Sequence, residues 1–468
     1  MSRSIPSQQG TLWGHPKGLF LLFSTELWER FSYYGMRALL VLYLTAQTTA
    51  GGLGWTQADA LKLYGIYTGL VYITPLIGGW LADTFLGQRR AIVIGAVMMA
   101  LGQFTLALPH AMFSGFVDQV FYVGLALLIA GNGMFKPNIS TMVGDLYEQG
   151  DHRRDGAFTI FYMGINLGAL LAGFVAGAAA AKWGWQAGFV AAGIGMLISL
   201  LIQALLSQRY LGDIGRVPAA QRAAAQRSAA QKAPLTKQEV DRIKVILVMG
   251  LFTIIFWAGF EQAGGLMNLY TQNYTDRMLG GFEVPTAWFQ SLNPFFIITL
   301  APLVAAIWVK LGKREPSSPV KFAMGLLFLA VGFLFMIGAV LQQGGDETVK
   351  TSMFWLVGAF LFHTLGELCL SPIGLSMVTK LAPLRLASLM MGAWFGFVAL
   401  ANYAAGMIGS YVGESGAMSI FGGIAITAVA SAAILLVFAN KLIYWMHGAE
   451  GHAEEPTHTA DDVVVTSH

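Results

Sequence analysis

Long apolar runs recur along the whole chain and are separated by short polar segments. An apolar run of about 20 residues is long enough to cross a bilayer as a helix. On this criterion the pattern predicts an all-α polytopic membrane protein with twelve spanning helices, at 17–47, 60–84, 90–110, 116–143, 156–181, 185–206, 243–271, 286–310, 321–343, 351–380, 386–412 and 418–446.

The basic residues support this number of helices and predict an orientation. With twelve crossings, 21 Lys and Arg residues fall on the side that holds both termini, four on the opposite side and three within spans. Cytoplasmic loops of membrane proteins carry an excess of Lys and Arg. We therefore expect both termini in the cytoplasm. The first apolar run has no small-residue cleavage site, so no removable signal peptide is expected.

The twelve spans divide into two sets of six. The expected units are a cytoplasmic tail at 1–16, a first six-helix bundle at 17–206, a linker at 207–242, a second bundle at 243–446 and a disordered cytoplasmic tail at 447–468. Within the linker, a five-residue repeat carries Arg222, Arg227 and Lys232. Successive basic residues lie about 140° apart on a helix, so they share no face. This favours a solvated tether over a surface for nucleic acid.

The composition excludes several classes of protein. Hydrophobic residues make up 56% of the 468 residues and charged residues 11%, whereas soluble domains are about 25% charged. The single cysteine, Cys369, rules out an intramolecular disulfide. The histidines suggest no metal site, and no HExxH, GxSxG or nucleotide-binding loop is present. We therefore expect no cofactor and no enzymatic activity.

One stripe of the first predicted helix is strongly polar. Glu26, Glu29, Arg30, Tyr33 and Arg37 fall within an arc of about 100° on an α-helix. Each charge at the centre of a membrane helix costs about 2.5–3.5 kcal/mol even on the lenient insertion scale. Such charges are tolerated beside a partner or a wet cavity. We expect the stripe to line a cavity, with a structural ion cluster as the alternative.

The two halves also carry corresponding interruptions. The fourth helix contains Gly131 and Pro137 around Lys136, and the tenth contains Gly366 and Pro372 around Glu367. Glycine and proline interruptions in corresponding helices are typical of transporter binding sites. Opposite charges at the two interruptions strengthen this interpretation.

Several segments resemble a known family. The stretch from Glu26 to Gly35, ExxERFxYYG, resembles the motif of the proton-dependent oligopeptide transporter family. Family-like segments follow in order at 135–138, 161–168, 256–262, 290–294 and 366–383. The segment 79–90 resembles the signature loop of the major facilitator superfamily, to which that family belongs. The resemblance implies the major facilitator fold, with the substrate held between the two bundles.

By this resemblance, the protein is a proton-coupled symporter that imports di- and tripeptides. Arg37 and Lys136 would bind the peptide carboxylate and Glu367 the ammonium, as a zwitterionic substrate requires. Asn166 and Asn293 would hydrogen-bond the peptide backbone. The ion pairs Arg37–Glu261 and Lys136–Glu367 would open and close access to the site. Glu26 and Glu29 would carry protons, with Arg30 as their counter-charge. The aromatic residues expected to shape the pockets are Tyr33, Tyr34, Tyr72, Trp257 and Trp394.

Departures from other members favour a minimal bacterial form. Residues 60–84 hold no histidine, where animal members have one, and the linker cannot hold two extra helices. We expect a monomer in the bacterial cytoplasmic membrane, with peptides, protons and lipid as partners and no nucleic acid. An importer of nitrate or another small anion and a drug or metabolite antiporter remain alternatives. His363, one turn before Glu367, either tunes that acid or is a structural histidine.

Overall fold

The computed structural model of the chain describes residues 10–109, 112, 115–148, 151–218 and 235–449. Most of both predicted tails and the linker repeat lie outside these residues. The helices described are α1 Lys17–Thr45, α2 Gln57–Leu81, α3 Gln88–Leu106, α4 Val117–Asp145, α5 Arg153–Trp183, α6 Trp185–Leu211, α7 Lys237–Phe260, α8 Leu266–Tyr274, α9 Leu292–Leu311, α10 Ser318–Gln343, α11 Phe354–Leu381, α12 Ala387–Ser410 and α13 Val412–Met446.

Strands are confined to short pairs outside the long helices. An antiparallel pair precedes α1, and the other pairs lie in the loops after α8 and before α11. The strands are β1 Thr11–Leu12, β2 His15–Pro16, β3 Thr275–Asp276, β4 Met278–Leu279, β5 Phe282–Glu283 and β6 Thr351–Ser352. β3 pairs with β6 in parallel, which ties the loop after α8 to the loop before α11.

The structure confirms the predicted all-α membrane fold. Among the described residues, 11 helical segments are long and apolar enough to cross a bilayer, and α7 and α8 together form one of them. α1 makes the twelfth crossing. It is 29 residues long, but the four charged residues between Glu26 and Arg37, which the sequence analysis singled out, make it too polar to be recognised by composition alone.

Close helix packing in the first bundle depends on glycine. α1 packs against α5 and α6, α3 against α4 and α6, and α2 against α4. Where α2 crosses α4, a Cβ at Gly78 would collide with the backbone of Gly133. Where α3 crosses α4, a Cβ at Gly95 would lie 3.0 Å from the backbone nitrogen of Phe135. Small residues let membrane helices approach to backbone contact, so the polar side chains on their other faces are held in fixed positions.

The second bundle meets the first most extensively at α2 with α12 and at α5 with α9. Within it, α10 packs against α11 and α13, and α12 against α7. α2 packs against α12, where a Cβ at Gly65 would lie 2.8 Å from the Cα of Gly406. α5 packs against α9 and the 3-10 helix Thr286–Ser291 before it, with the Ser291 hydroxyl donating to the Leu170 carbonyl at 2.8 Å.

The seventh span differs from the prediction. A single helix was expected at 243–271, but α7 ends at Phe260, a 3-10 turn occupies Glu261–Ala263, and α8 begins at Leu266. The two glycines that follow the turn provide the break, because Gly265 has φ −104° and ψ −103°, far from helical values. Discontinuous helices mark the binding sites of many transporters. Here the break places Glu261 at the end of a helix.

Two helices extend into the segment expected to be linker. α6 continues to Leu211, and α7 begins at Lys237 behind a capping box formed by Thr236 and Glu239. The residues after α6 pack against the start of α3, because the Arg89 guanidinium donates to the Gly212 carbonyl at 2.5 Å. The first part of the predicted tether is therefore bound to the first bundle.

The contact between α2 and α4 generates a stability prediction. Gly78→Ala introduces a Cβ against the Gly133 backbone, and overpacking of this kind costs about 1–3 kcal/mol. We expect a lower melting temperature for this variant in detergent. The matched control is Gly396→Ala on α12, where a Cβ meets no atom within 4 Å; it should melt at or above the wild-type temperature. Equal melting temperatures for the two variants would contradict the packing described.

Candidate functional site

The first ionic cluster lies inside the first bundle. Arg30 forms a bidentate pair with the neighbouring Glu29, and its Nη2 donates to Glu29 Oε1 at 2.6 Å. Asn132 of α4 donates to the same carboxylate oxygen at 3.1 Å, and Arg30 Nε lies 3.2 Å from Glu26 Oε1. Glu29 is fully buried and Glu26 is 2% exposed. One arginine therefore serves two buried acids.

A second ionic cluster joins the two bundles. Arg37 of α1 forms an ion pair with Glu261 in the break of the seventh span. Its Nε and Nη2 also donate to the Tyr64 hydroxyl of α2 at 2.9 and 2.7 Å, and that hydroxyl lies 3.2 Å from Glu261 Oε2. Nearby, the Asn268 amide of α8 donates to the Ala38 carbonyl at 3.0 Å. These contacts join the C-terminal half of α1 to the seventh span. They therefore hold the two bundles together on the side away from the chain termini.

The acid of the tenth span is held by an amide from α9. Asn293 Nδ2 donates to Glu367 Oε2 at 2.8 Å and approaches the Thr364 hydroxyl at 3.1 Å. Glu367 is 9% exposed, and no described basic side chain lies within ion-pair distance of it. Since the amide nitrogen of Asn293 is already engaged, its amide oxygen is the group left to receive a donor from a ligand.

Lys136 has an aromatic partner in this structure. Its ammonium lies 4.3 Å from the centre of the Tyr72 ring, a cation–π contact. Among the described ion pairs there is none between Lys136 and Glu367, so the second predicted gate pair is not formed in this conformation. Forming it requires the Lys136 ammonium to leave the Tyr72 ring. That pair remains a prediction.

A cavity lies between the two bundles beside the second cluster. Its volume open to water is about 110 Å³, and its wall includes Arg37 from the first bundle and Glu367 from the second. The lining is Tyr34, Arg37, Ala38, Tyr162, Ile165, Asn166, Ala169, Gly173, Phe260, Ala263, Gln290, Asn293, Pro294, Ile297, Phe360 and Glu367. An acid and a base thus face one small space from opposite halves.

Five of the expected substrate-binding residues line this cavity, and five do not. Arg37, Glu367, Asn166, Asn293 and Tyr34 belong to the lining. The expected residues outside it are Lys136, Tyr33, Tyr72, Trp257 and Trp394. Of the polar stripe of α1, Arg37 lines this cavity, whereas Glu26, Glu29 and Arg30 are buried and do not belong to its lining.

The remaining aromatic residues have packing contacts. Tyr33 stacks on Tyr67 with ring centres 6.5 Å apart, and Arg30 lies 5.2 Å from the Tyr33 ring centre. Trp257 packs edge-on against Phe260, which itself lines the cavity. Trp394 is 4% exposed. These contacts stabilise the walls around the polar groups.

Sequence reasoning missed several polar partners. Tyr64 bridges Arg37 and Glu261, Asn132 binds Glu29, and Thr364 contacts Asn293. Asn132 lies inside the interrupted segment 131–137, where an amide in a membrane helix is itself a signal of a partner. Tyr64 carried no such signal, since tyrosine is common in this chain and its contact depends on how α2 packs against α1.

His363 lies one turn from Glu367 and is fully buried. The centre of the Phe333 ring lies 4.7 Å from its own ring centre, and Phe260 packs on another side. No hydrogen bond between His363 and Glu367 is found in the described part of the chain. Among the same residues, no group of three His, Cys, Asp or Glu side chains could hold a metal ion.

Two six-helix bundles that enclose a small cavity bearing both charges define the class of secondary transporters with the major facilitator fold. Within that class, the chain belongs to the POT family, whose family model matches residues 89–215 and 217–423. The resemblance of the motifs is therefore confirmed over most of the chain.

Individual relatives agree with this assignment. The chain is 38% identical to the peptide transporter YePEPT of Yersinia enterocolitica, over 94% of this chain and 97% of that protein. It is also 38% identical to the transporter YclF of Bacillus subtilis, over 88% and 89% of the two chains. A crystal structure of a variant of the peptide transporter POT in complex with alafosfalin superimposes with a TM-score of 0.86 at 37% identity, and covers 94% of this chain and 98% of that one.

The bridge made by Tyr64 generates a prediction about conformation. Tyr64→Phe removes the hydroxyl that Arg37 and Glu261 share, and a hydrogen bond to a charged group is worth about 1.5–3 kcal/mol. We expect the population of protein open on the side away from the termini to rise about tenfold. The measurement is the distance distribution between spin labels at Thr49 and Val349, since the only native cysteine, Cys369, is buried.

The control for this experiment lies one turn along the same helix. Tyr67 is 1% exposed and its hydroxyl has no hydrogen-bond partner among the described residues. Tyr67→Phe should leave the distances unchanged. If both variants shift the distances equally, the effect reflects general loosening of α2 and not the bridge.

Proposed function

We propose that this protein imports di- and tripeptides together with protons, acting as a monomer in the cytoplasmic membrane of a bacterium. The observation that carries the proposal is the cavity between the two bundles, with Arg37 on one wall and Glu367 on the other. The names of its relatives support it, since several are peptide transporters or di- and tripeptide permeases.

The chemistry of a peptide fits opposite charges on opposite walls. A peptide is a zwitterion with a constant backbone and variable side chains, so a site for many peptides should bind the two termini. Arg37 would bind the carboxylate through its planar fork, and Glu367 the ammonium. Lys136 would join Arg37 after leaving Tyr72. Asn166 and Asn293 would bind the peptide backbone, with the aromatic residues around them shaping the side-chain pockets.

The same groups would couple binding to opening. The Arg37–Glu261 pair, reinforced by Tyr64, would hold the outer side closed, and both termini would lie in the cytoplasm. A peptide carboxylate that binds Arg37 would compete with Glu261 for the guanidinium. A Lys136–Glu367 pair would form in another state of the cycle. In these steps Arg37 would exchange Glu261 for the peptide carboxylate, and Lys136 would exchange the Tyr72 ring for Glu367.

The proton would be carried by Glu26 and Glu29. Both acids share one counter-charge, Arg30, which cannot neutralise two carboxylates at once. One oxygen of Glu26 has no hydrogen-bond partner among the described residues, which leaves room for a proton there. Burial favours the protonated acid and a nearby arginine the ionised one. Small movements of Arg30 would shift the balance between these forms.

Uptake into proteoliposomes tests the function directly. With an inward proton gradient, we expect uptake of labelled dialanine and no uptake of nitrate or free alanine. Transport of nitrate without dialanine would favour the anion importer. Exchange of protons for an internal substrate would favour the antiporter.

Glu367→Gln tests how the peptide amino terminus is held. Loss of a buried charge partner costs about 2–5 kcal/mol, so we expect dialanine to bind at least about 30-fold more weakly. N-acetyldialanine has no ammonium, and its weaker binding should change little. The measurement is competition by each peptide in folded, monodisperse protein. Equal losses for both peptides would exclude Glu367 as the ammonium partner.

Glu29→Gln tests the coupling to protons. Glutamine keeps the shape and can still accept from Asn132, but it cannot exchange a proton and so mimics the protonated acid. We expect gradient-driven uptake of dialanine to be lost and counterflow in the same vesicles to be retained, because exchange occurs with the site loaded. Unchanged driven uptake would rule out the coupling role. Equal loss of both activities in folded protein would indicate a structural ion cluster.

A further inference from the structure

A second, larger cavity lies mainly in the second bundle, at the helix ends on the side away from the chain termini. Its volume open to water is about 340 Å³. Its walls come from α8, the end of α10 and the loop after it, the start of α13 around a kink at Gly416 (φ 74°, ψ 155°), and one residue of α2. The lining is Gln57, Leu266, Leu269, Tyr270, Asn273, Tyr274, Val340, Gln343, Gly345, Glu347, Val412, Gly413, Gly416 and Ala417. None of the residues assigned to peptide or proton belongs to it.

This cavity contains an unsatisfied donor. Gln343 is 9% exposed, and its amide nitrogen has no hydrogen-bond partner among the described residues. Buried polar groups in proteins are almost always paired, and an unpaired one costs about 1–3 kcal/mol. The donor therefore calls for an acceptor, such as a carbonyl oxygen, on whatever occupies the space.

The charge of the lining favours a cation. Glu347 is the one charged side chain among the lining residues, and the ammonium of nearby Lys350 is engaged by the Asn273 carbonyl. α8 and α10 end at the cavity, whereas α2 and α13 begin there. The positive and negative ends of the helix dipoles are therefore equally represented, and they favour neither a cation nor an anion. Apolar walls from Leu266, Leu269 and Val340 suit an apolar body.

We propose that this cavity binds an α-amino amide: a primary ammonium directed to Glu347, a carbonyl accepting from Gln343, and an apolar side chain against α8. Such a ligand lacks the free carboxylate that the cavity between the bundles would require, so the two sites select different molecules. If the protein transports peptides as proposed, an occupant wedged between α8 and α13 would slow transport. The reason is that α8 follows directly after Glu261 and must move when the bundles separate.

Phenylalanine amide is the probe for a binding titration on the purified full-length protein. Gly413→Met fills the cavity, since a Cβ at Gly413 meets no atom within 4 Å. Its matched control is Gly423→Met, farther along α13 and beyond the kink at Gly416, where a Cβ also meets nothing within 4 Å but which lies outside the lining. We expect saturable binding to wild type and to Gly423→Met, and at least tenfold weaker binding to Gly413→Met and Gln343→Leu. N-acetylphenylalanine amide should bind wild type at least tenfold more weakly.

Two further arms separate this site from the cavity between the bundles. Glu367→Gln should bind phenylalanine amide like wild type, and dialanine should not displace the probe. The proposal is overturned if no saturable binding occurs, if Gly413→Met binds normally, or if Glu367→Gln or dialanine abolishes binding. These titrations do not depend on transport. A failed peptide-transport assay with intact probe binding would therefore reject the proposed function and leave this site standing.

Discussion

The high free-energy cost of leaving a charge unpaired inside a membrane governs this structure. Arg30 is held between two acids, Arg37 by Glu261 and Tyr64, and Glu367 by Asn293. Glu26 and Glu29 lie with Arg30 in α1, but the other groups that bind these charges come from different helices: Tyr64 from α2, Asn132 from α4, Glu261 from the seventh span and Asn293 from α9. The pairing of the buried charges therefore depends on how the helices pack against one another. Because the Arg37–Glu261 pair and the hydrogen bonds from Asn132 and Asn293 join different helices, a shift of one helix breaks such a contact and must supply another.

Glycine solves the geometric half of that problem. Gly78 against Gly133 and Gly65 against Gly406 bring helix backbones into contact. Between other helices, the short side chains of Asn132 and Asn293 reach carboxylates directly. Gly264 plays a related part, because a side chain there would collide with the Tyr64 hydroxyl. The hydrogen bonds from Tyr64 to Arg37 and Glu261 therefore need a residue without a side chain at position 264.

Hydropathy and charge placement were sufficient to predict an all-helical chain with twelve crossings, since a bilayer leaves helices as nearly the only solution for such a chain. The major facilitator fold was predicted from the resemblance of the motifs. The break after Phe260 escaped prediction, because apolar content continues through it and two glycines alone are common in membrane helices. The charged residues of the candidate site could be predicted from the sequence, because charges inside membrane helices are costly and rare unless they have a function. Their neutral partners, Tyr64 and Thr364, could not, because their contacts arise from the packing of helices distant in sequence.

The position of Arg37 has a consequence for measured affinity. Its guanidinium is part of the cavity wall and also the bond that fastens α1 to the seventh span. An anion that takes the Nη2 donor of this group must displace Glu261 from it. The dissociation constant then contains the free energy of unfastening the two bundles as well as that of contact with the ligand. Two proteins with identical cavities can therefore differ in ligand affinity solely because the ion pair between their bundles differs in strength.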